Sequence, residues 1–411
     1  MEALGLAVGL LFCVLIARLI MRRLKGTWRE IIFALFNLVC LLLLFQLNAV
    51  TFISYLALIC LQYATVRKFA ERDGWTPWIA FFTPIVILAG VRYLPLLFSL
   101  GVGPLLAKVL GHRSDPAMIT AKYVGLSYLA FRSSYMVLEI RNGTVKKPSL
   151  WQYLGFCFFF PTMPVGPINT YGNYRRGFES ASPAVPNDSA FLRILVGCVK
   201  FAFLGTILNS LTYSGLFFND HYHLWIDLPI AAGFYYLYLY CNFSGFCDMA
   251  IGAAALIGIP VPENFRNPFL ARNVQDFWNR WHITLSHYMR NVVFTPLSRY
   301  FARIMGPARV NHAIALTILI VFLLIGIWHG VGWNYLAFGA IHGVGVVWNH
   351  YYTLGLKKWL GREGFKAYNS NCWVHRGSVL LTFCFVCFSF FFFANTPAEM
   401  KKILSSIRWS L

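Results

Sequence analysis

Long apolar runs closed by small basic clusters constrain this chain more than any other feature. Residues 3–20 are followed by Arg22, Arg23, Lys25 and Arg29, and residues 31–47 and 50–64 are followed by Arg67, Lys68 and Arg72. Runs of about 20 apolar residues match the hydrocarbon thickness of a bilayer, and lipid offers a backbone no hydrogen-bond partner, so such runs fold as helices. An all-α, polytopic membrane protein follows, with about ten to twelve membrane helices or re-entrant segments. With 58% hydrophobic and only 12% charged residues, the composition excludes an ordinary soluble fold. The net charge of +20 would suggest nucleic acid in a soluble protein. Here the cations cluster in the loops between apolar runs, which the positive-inside rule and anionic membrane lipids explain without a nucleic-acid partner.

The same rule puts the 22–29 and 67–72 clusters in the cytoplasm and the N-terminus outside. Further spans are expected over residues 78–100, 121–138, 191–213, 225–240, 244–259, 313–328, 335–348 and 378–393, with a glycine-rich connection before Ala121. Residues 151–161 are too short to cross, and Pro161, Pro164, Gly166 and Pro167 follow at once, so this piece reads as a broken segment lining a cavity. Residues 171–188 read as a loop, and His221 and His223 as solvated. Lys357, Lys358 and Arg362 mark a cytoplasmic return, while Lys401, Lys402 and Arg408 leave the side of the C-terminus open. The ten cysteines lack metal or disulfide spacing and read as small packing residues. With no separate soluble part in view, residues 1–411 are expected to form one integral-membrane domain.

Inside this apolar frame a few polar residues stand out. A histidine, arginine or aspartate at membrane depth is costly unless paired, hydrated or used. Arg132 is expected to snorkel or to pair with a carboxylate, and Asp248 to be paired structurally or to serve a site. Residues 275–290 carry apolar side chains on one helical side and bases elsewhere, so one amphipathic helix is expected. His282 lies within it, His329 closes an apolar run as Trp328-His329-Gly330, and His342 lies in the next run. The arginines from Arg266 to Arg309 reflect either positive-inside charge or a docking face for an acidic partner.

Several of these motifs resemble one known family. Pro262-Glu263-Asn264-Phe265, the run Gln275-Asp276-Phe277-Trp278-Asn279-Arg280-Trp281-His282, and Trp328-His329-Gly330 with Trp333 are similar to the bacterial branch of the membrane-bound O-acyltransferases. Val165-Gly166-Pro167-Ile168, Phe243-Ser244-Gly245 and Asp248-Met249-Ala250-Ile251-Gly252 extend the likeness, which covers the chain from about Ser127 onward. Asn242 stands where the family commonly has aspartate. The resemblance implies an enzyme of the bacterial cytoplasmic membrane in which His329 and His282 are catalytic and His342 is less strictly required. Asn279, Arg280, Trp281, Trp328, Trp333 and Asp248 would contribute to substrate binding.

By the same resemblance, the reaction moves an acyl group, D-alanyl before acetyl, from a thioester towards a cell-envelope hydroxyl of the teichoic-acid type or a relay protein. Polysaccharide O-acetylation of the alginate type is the second reading. No bound cofactor or metal is expected. The donor is the phosphopantetheine thioester of an acyl carrier protein on the cytoplasmic face, and the downstream partner is an envelope acyl-relay or transfer protein. Such chemistry needs a base for the hydroxyl proton, which a neutral histidine supplies, and donors for the oxyanion. His282 would orient His329, stabilise the oxyanion or bind substrate. A transporter, the rival from another class, would commonly show paired repeats with matching broken helices, and this sequence shows none.

Overall fold

The computed structural model describes residues 2–44, 48–97, 125–180, 186–218 and 223–408. The expected glycine-rich connection before Ala121 and the reading of His221 fall outside them. The described residues are mostly helical, with one two-residue parallel ladder that pairs β1 (His223–Leu224) with β2 (Ile407–Arg408). Five helices among the described residues are long and apolar enough to cross a membrane: 26–44, 187–209, 227–257, 307–329 and 372–394.

The chain forms two compact units. The first comprises Met1–Cys198 and Gly245–Glu263. It contains α1 (Glu2–Arg23), α2 (Gly26–Leu44), α3 (Ala49–Phe69), α4 (Pro77–Leu97), α5 (Leu126–Arg141), α6 (Leu150–Cys157), α7 (Tyr171–Glu179) and α8 (Asn187–Cys198). The short α6 fits the expected broken segment. It starts on a capping box, in which Ser149 and Gln152 satisfy each other's backbone donors, and ends at Phe158 after eight residues.

Arg132 explains how α6 can end inside protein. The side chain is 1% exposed, and its guanidinium donates to the Cys157 carbonyl at 3.1 Å, the Phe156 carbonyl at 3.5 Å and Thr162 Oγ1 at 3.0 Å. It therefore neither snorkels nor pairs with a carboxylate, as the sequence suggested. It caps the carbonyl end of a buried helix, where the orphan acceptors and the negative end of the helix dipole both favour a cation.

Residues 171–188 are not simply a loop, because residues 171–179 form α7. Thr170 caps that helix by accepting from Asn173 N, and Glu139 receives the Tyr171 and Gly172 amides at 2.9 and 3.1 Å. A carboxylate at a helix N-terminus is favourable for the same dipole reason, and neither partner is near the other in sequence.

The second unit comprises Val199–Ser244 and Asn264–Leu411. A π turn at Val199–Leu204 leads to α9 (Gly205–Asn209) and α10 (Tyr213–Leu216). Then come β1, α11 (Asp227–Ile257), α12 (Val274–Trp278), α13 (Ile283–Met289) and α14 (Thr295–Met305). The long helices α15 (Val310–His329), α16 (Trp333–Ser370) and α17 (Cys372–Ala394) follow, then α18 (Pro397–Ser406) and β2. Two expected spans, 225–240 and 244–259, are one continuous helix, α11, whose last residues belong to the first unit. The Cys241-Asn242-Phe243-Ser244-Gly245 stretch holds no proline, and a single glycine does not end a helix. Likewise α16 runs through the basic residues at 357–362 to Ser370, with a kink at Gly361, where φ is 65°.

His223 also departs from expectation. It is 9% exposed, lies with its ring 4.5 Å from that of Phe217, and has Nδ1 3.7 Å from the Asp227 carboxylate.

Helices α15 and α16 pack through small residues. A Cβ placed on Gly339 would lie 2.4 Å from the Phe322 carbonyl oxygen, and one on Gly326 would lie 2.5 Å from that of Tyr335. Glycines at such positions let two membrane helices approach backbone to backbone, and Gly339 and Gly343 have the four-residue spacing that this packing uses.

Candidate active site

The amphipathic helix expected over residues 275–290 is broken, and the break builds the site. Helix α12 stops at Trp278, α13 begins at Ile283, and His282 between them adopts left-handed backbone angles, φ 45° and ψ 51°. The reason lies in the Pro262–Phe265 motif. Phe265 and Trp281 form an antiparallel bridge, Arg266 N donates to the Arg280 carbonyl at 2.9 Å, and Ile283 N donates to the Asn264 carbonyl at 3.0 Å. This pairing diverts the Arg280 carbonyl and the Ile283 amide from the helical pattern to the 264–266 segment. A non-glycine residue with positive φ is uncommon and marks a site the surroundings hold in place.

Asn264, fully buried, fixes the His282 ring. Its Oδ1 accepts from Thr284 N at 3.1 Å and Thr284 Oγ1 at 2.9 Å, and it lies 3.2 Å from His282 Nδ1. The backbone N–H of Thr284 can only donate, so the Asn264 atom facing all three groups is the oxygen. His282 Nδ1 therefore carries the proton, and the neutral ring presents its lone pair at Nε2. That tautomer can take a proton at Nε2 but cannot donate from it. The ring of Phe243 packs edge-on against His282 at 4.8 Å.

His329 is the last residue of α15. It is half-buried, whereas His282 and His342 are 3% and 0% exposed, so of these three imidazoles it is the one a substrate can best reach. Its ring packs 4.5 Å from Trp328, 4.9 Å from Phe393 and 5.9 Å from Phe338. Trp328 also lies 6.1 Å from His282, so one indole touches both imidazoles. Gly330 ends the helix where a Cβ would lie 2.2 Å from the Tyr335 ring.

His342 has a different task. Trp278 Nε1 donates to its Nδ1 at 3.1 Å, so the proton of the neutral ring sits on Nε2, which donates to Ser389 Oγ at 2.8 Å. Ser389 in turn donates to the Val386 carbonyl at 2.8 Å. Every polar atom of this chain is used, and it ties α12, α16 and α17 together beneath the reactive pair.

The remaining sequence-derived residues separate. Trp281 is buried among Tyr236, Phe265, Phe277 and Phe390, and Arg280 is bound to Asp276 at 2.8 Å. Asn279 accepts from Arg290 at 2.9 Å and lines a cavity. Trp333 begins α16 and is 53% exposed. Asp248 belongs to the first unit, where Arg193 bridges it at 3.0 Å to Glu263 at 2.6 Å, the structural pairing that was one of its two readings.

Sequence reasoning missed Asn264 and Ser389 as members of the site. Asn264 was legible as part of a motif, but only the fold shows that its side chain meets His282. Among the described residues no cluster of His, Cys, Asp or Glu could hold a metal ion.

A cavity of about 180 Å³ lies between α15 and the 275–294 segment, with Trp278, the hydrogen-bond donor to His342, in its lining. Gln275, Asn279, Ser286, Arg290 and His350 give it polar parts, and Ile314, Ile318, Phe322 and Ile325 give it an apolar flank along α15. Ile325 is four residues, about one helical turn, before His329.

A polytopic helical protein with two interior histidines against one tryptophan, one of them oriented by an asparagine, has the parts of a membrane acyl-transfer centre. Comparison with known proteins supplies the family. The profile of MBOAT, the membrane-bound O-acyltransferase family, matches residues 74–391, and the chain belongs to that family. It is accordingly a multi-pass membrane O-acyltransferase. It is 31% identical over 298 residues to a teichoic acid D-alanyltransferase of Streptococcus thermophilus, covering 66% of this chain and 68% of the relative. It is 30% identical over 312 residues to the one of Bacillus subtilis, covering 74% and 76%. A peptidoglycan O-acetyltransferase of Helicobacter pylori is 32% identical over 213 residues, covering 50% of this chain but 38% of that relative.

Proposed function

We propose that this acyltransferase moves a D-alanyl group from the phosphopantetheine thioester of an acyl carrier protein to a hydroxyl of the cell envelope, directly or through a relay protein. The observation that carries the reading is the His282–Trp328–His329 arrangement, with Asn264 holding one imidazole lone pair in position. The D-alanyl assignment draws its support from the two D-alanyltransferases, which match over most of their own length, against the shorter O-acetyltransferase match.

In the proposed reaction the hydroxyl oxygen attacks the thioester carbonyl while His329 takes its proton. The C–O bond forms, the C–S bond breaks, and the proton returns to the departing thiolate. General-base assistance of this kind contributes about 100-fold to 10,000-fold. The Nε2 lone pair of His282 suits acceptance of a proton from His329 or from the hydroxyl itself, and it disfavours an oxyanion-donor role for that atom. The cavity along α15 suits a slender thioester arm, with polar atoms for its amides and an apolar flank for its methylenes.

The exposed surface of α14 fits an acidic carrier. Arg299, Tyr300, Arg303 and Ile304 of α14 are all exposed, giving a mixed basic and apolar face. Acidic partners are steered by such charge, so reversing Arg299 and Arg303 would slow carrier association most at low salt.

The test is acyl transfer in proteoliposomes from D-alanyl-loaded and acetyl-loaded carrier, comparing wild type with His329→Ala at equal folded amounts. Transfer from the D-alanyl donor alone, abolished in the variant, is expected. Transfer from acetyl carrier alone would replace the acyl group with acetyl, the O-acetylase reading, and undiminished transfer by His329→Ala would remove that residue from the chemistry.

A further inference from the structure

In the first unit, a second cavity of about 220 Å³ lies where the end of α1, the start of α2, the end of α7 and the end of α11 meet. Four cations line it: Arg18, Arg22, Lys25 and Arg29. No carboxylate lines it, and among the described residues none of the four is ion-paired or bonded to a backbone carbonyl. The Phe178 ring lies 4.8 Å from the Arg29 guanidinium, and among the described residues no hydrogen-bond acceptor meets the buried Arg29 Nε. The floor is apolar, built from Met21, Leu24, Leu256 and Ile257.

Ordinary positive-inside charge accounts for cations in a loop, but it does not gather four of them around one concavity above an apolar floor. The surroundings of the cavity identify its occupant. Phe12, Leu15 and Leu19 of α1 are 63%, 64% and 56% exposed, a stripe that faces lipid. Trp28, next to Arg29, is 69% exposed, as a tryptophan anchored at the level of the head groups would be. The cavity is thus at head-group depth, beside the bilayer, on the face that the 22–29 cluster assigns to the cytoplasm.

We propose that this cavity binds the phosphate head group of an anionic phospholipid from the cytoplasmic leaflet. The guanidinium groups of Arg18, Arg22 and Arg29 and the Lys25 ammonium meet the phosphate, with charge-assisted hydrogen bonds that these side chains otherwise lack. Met21, Leu24, Leu256 and Ile257 take the glycerol and the first methylenes. The site clamps the α1–α2 turn to the end of α11 through a lipid, and it is independent of the acyl-transfer reading.

The full-length protein is placed in phosphatidylcholine nanodiscs with and without phosphatidylglycerol, and the lipid retained is counted by native mass spectrometry. Wild type is expected to hold phosphatidylglycerol selectively. Arg22→Gln with Arg29→Gln is expected to lose it, each cation removed weakening retention about fivefold. Lys357→Gln with Lys358→Gln, in a basic stretch elsewhere, keeps it. Lys25→Gln, at an exposed position, supplies a smaller loss should the double variant not fold. Equal retention by the cavity variants, or equal loss in the Lys357 and Lys358 variant, would overturn the site. Stabilisation against heat by inorganic phosphate or an acidic peptide as great as by phosphatidylglycerol would overturn its assignment to a lipid.

Discussion

His282 and Asn264 together show how one residue is given a direction. Replacing Asn264 with alanine leaves the Thr284 donors and His282 Nδ1 without their acceptor in a buried place, a loss of about 1–3 kcal/mol for an orphaned group. We expect Asn264→Ala to lower both thermal stability and transfer per folded molecule, while Asn264→Asp, which keeps the accepting oxygen, preserves the fold. Equal stability in the two variants would refute the role assigned to that oxygen. The left-handed backbone adds a second signature. His282→Ala carries a conformational cost of about 1–2 kcal/mol that His282→Gly avoids, so the glycine variant, though equally inactive, should melt higher. At His342 the order reverses. Ser389→Ala removes one buried hydrogen bond, costing about 1 kcal/mol of stability, with transfer per folded molecule nearly unchanged, because His342 supports the site rather than meeting substrate. A large fall in the rate of fully folded Ser389→Ala would move His342 into the chemistry.

At the scale of elements, apolar run length found the long helices, and it failed where polar partners come from far along the chain. Helix α15 was expected at 313–328 and occurs at Val310–His329. The break at residues 279–282 was hidden because its cause, the pairing with residues 264–266, is tertiary, while the local pattern was consistent with a continuous amphipathic helix. Helix α7 was hidden for a like reason, since Glu139 completes its N-terminus from 32 residues away. His329 and His282 were legible because histidines are conspicuous in membrane-like sequence; Ser389 was not, since a serine in a transmembrane helix commonly bonds its own backbone. The close approach of α15 and α16 yields a contrast between glycines. Gly339→Ala forces a Cβ against the Phe322 carbonyl and should destabilise by about 1–3 kcal/mol, whereas Gly355→Ala, with open space around it, should be neutral or stabilising by up to about 1 kcal/mol. Thermal unfolding of both variants in one detergent decides this.

At the scale of the molecule, the short β ladder bears on a question that charge left open. Pairing of His223 with Ile407 puts the end of α18 on the same side of the membrane as the turn before α11. The parity of the crossings expected from sequence puts that turn outside, and the ladder then takes Ile407 with it, against the charge of Lys401 and Lys402. In a Cys372→Ser background, Ser405→Cys should react with a membrane-impermeant maleimide added to intact cells, and labelling only after lysis would reverse the assignment. The late position of α17 also matters during biosynthesis. Ser389, Phe390 and Phe393 complete the surroundings of His342 and His329, yet the ribosome adds them more than a hundred residues after His282, on the order of ten seconds later. For that interval the nascent enzyme holds His282 and His329 with one wall of its site still unmade, so a chain stalled before α17 is inserted, anchored and inert.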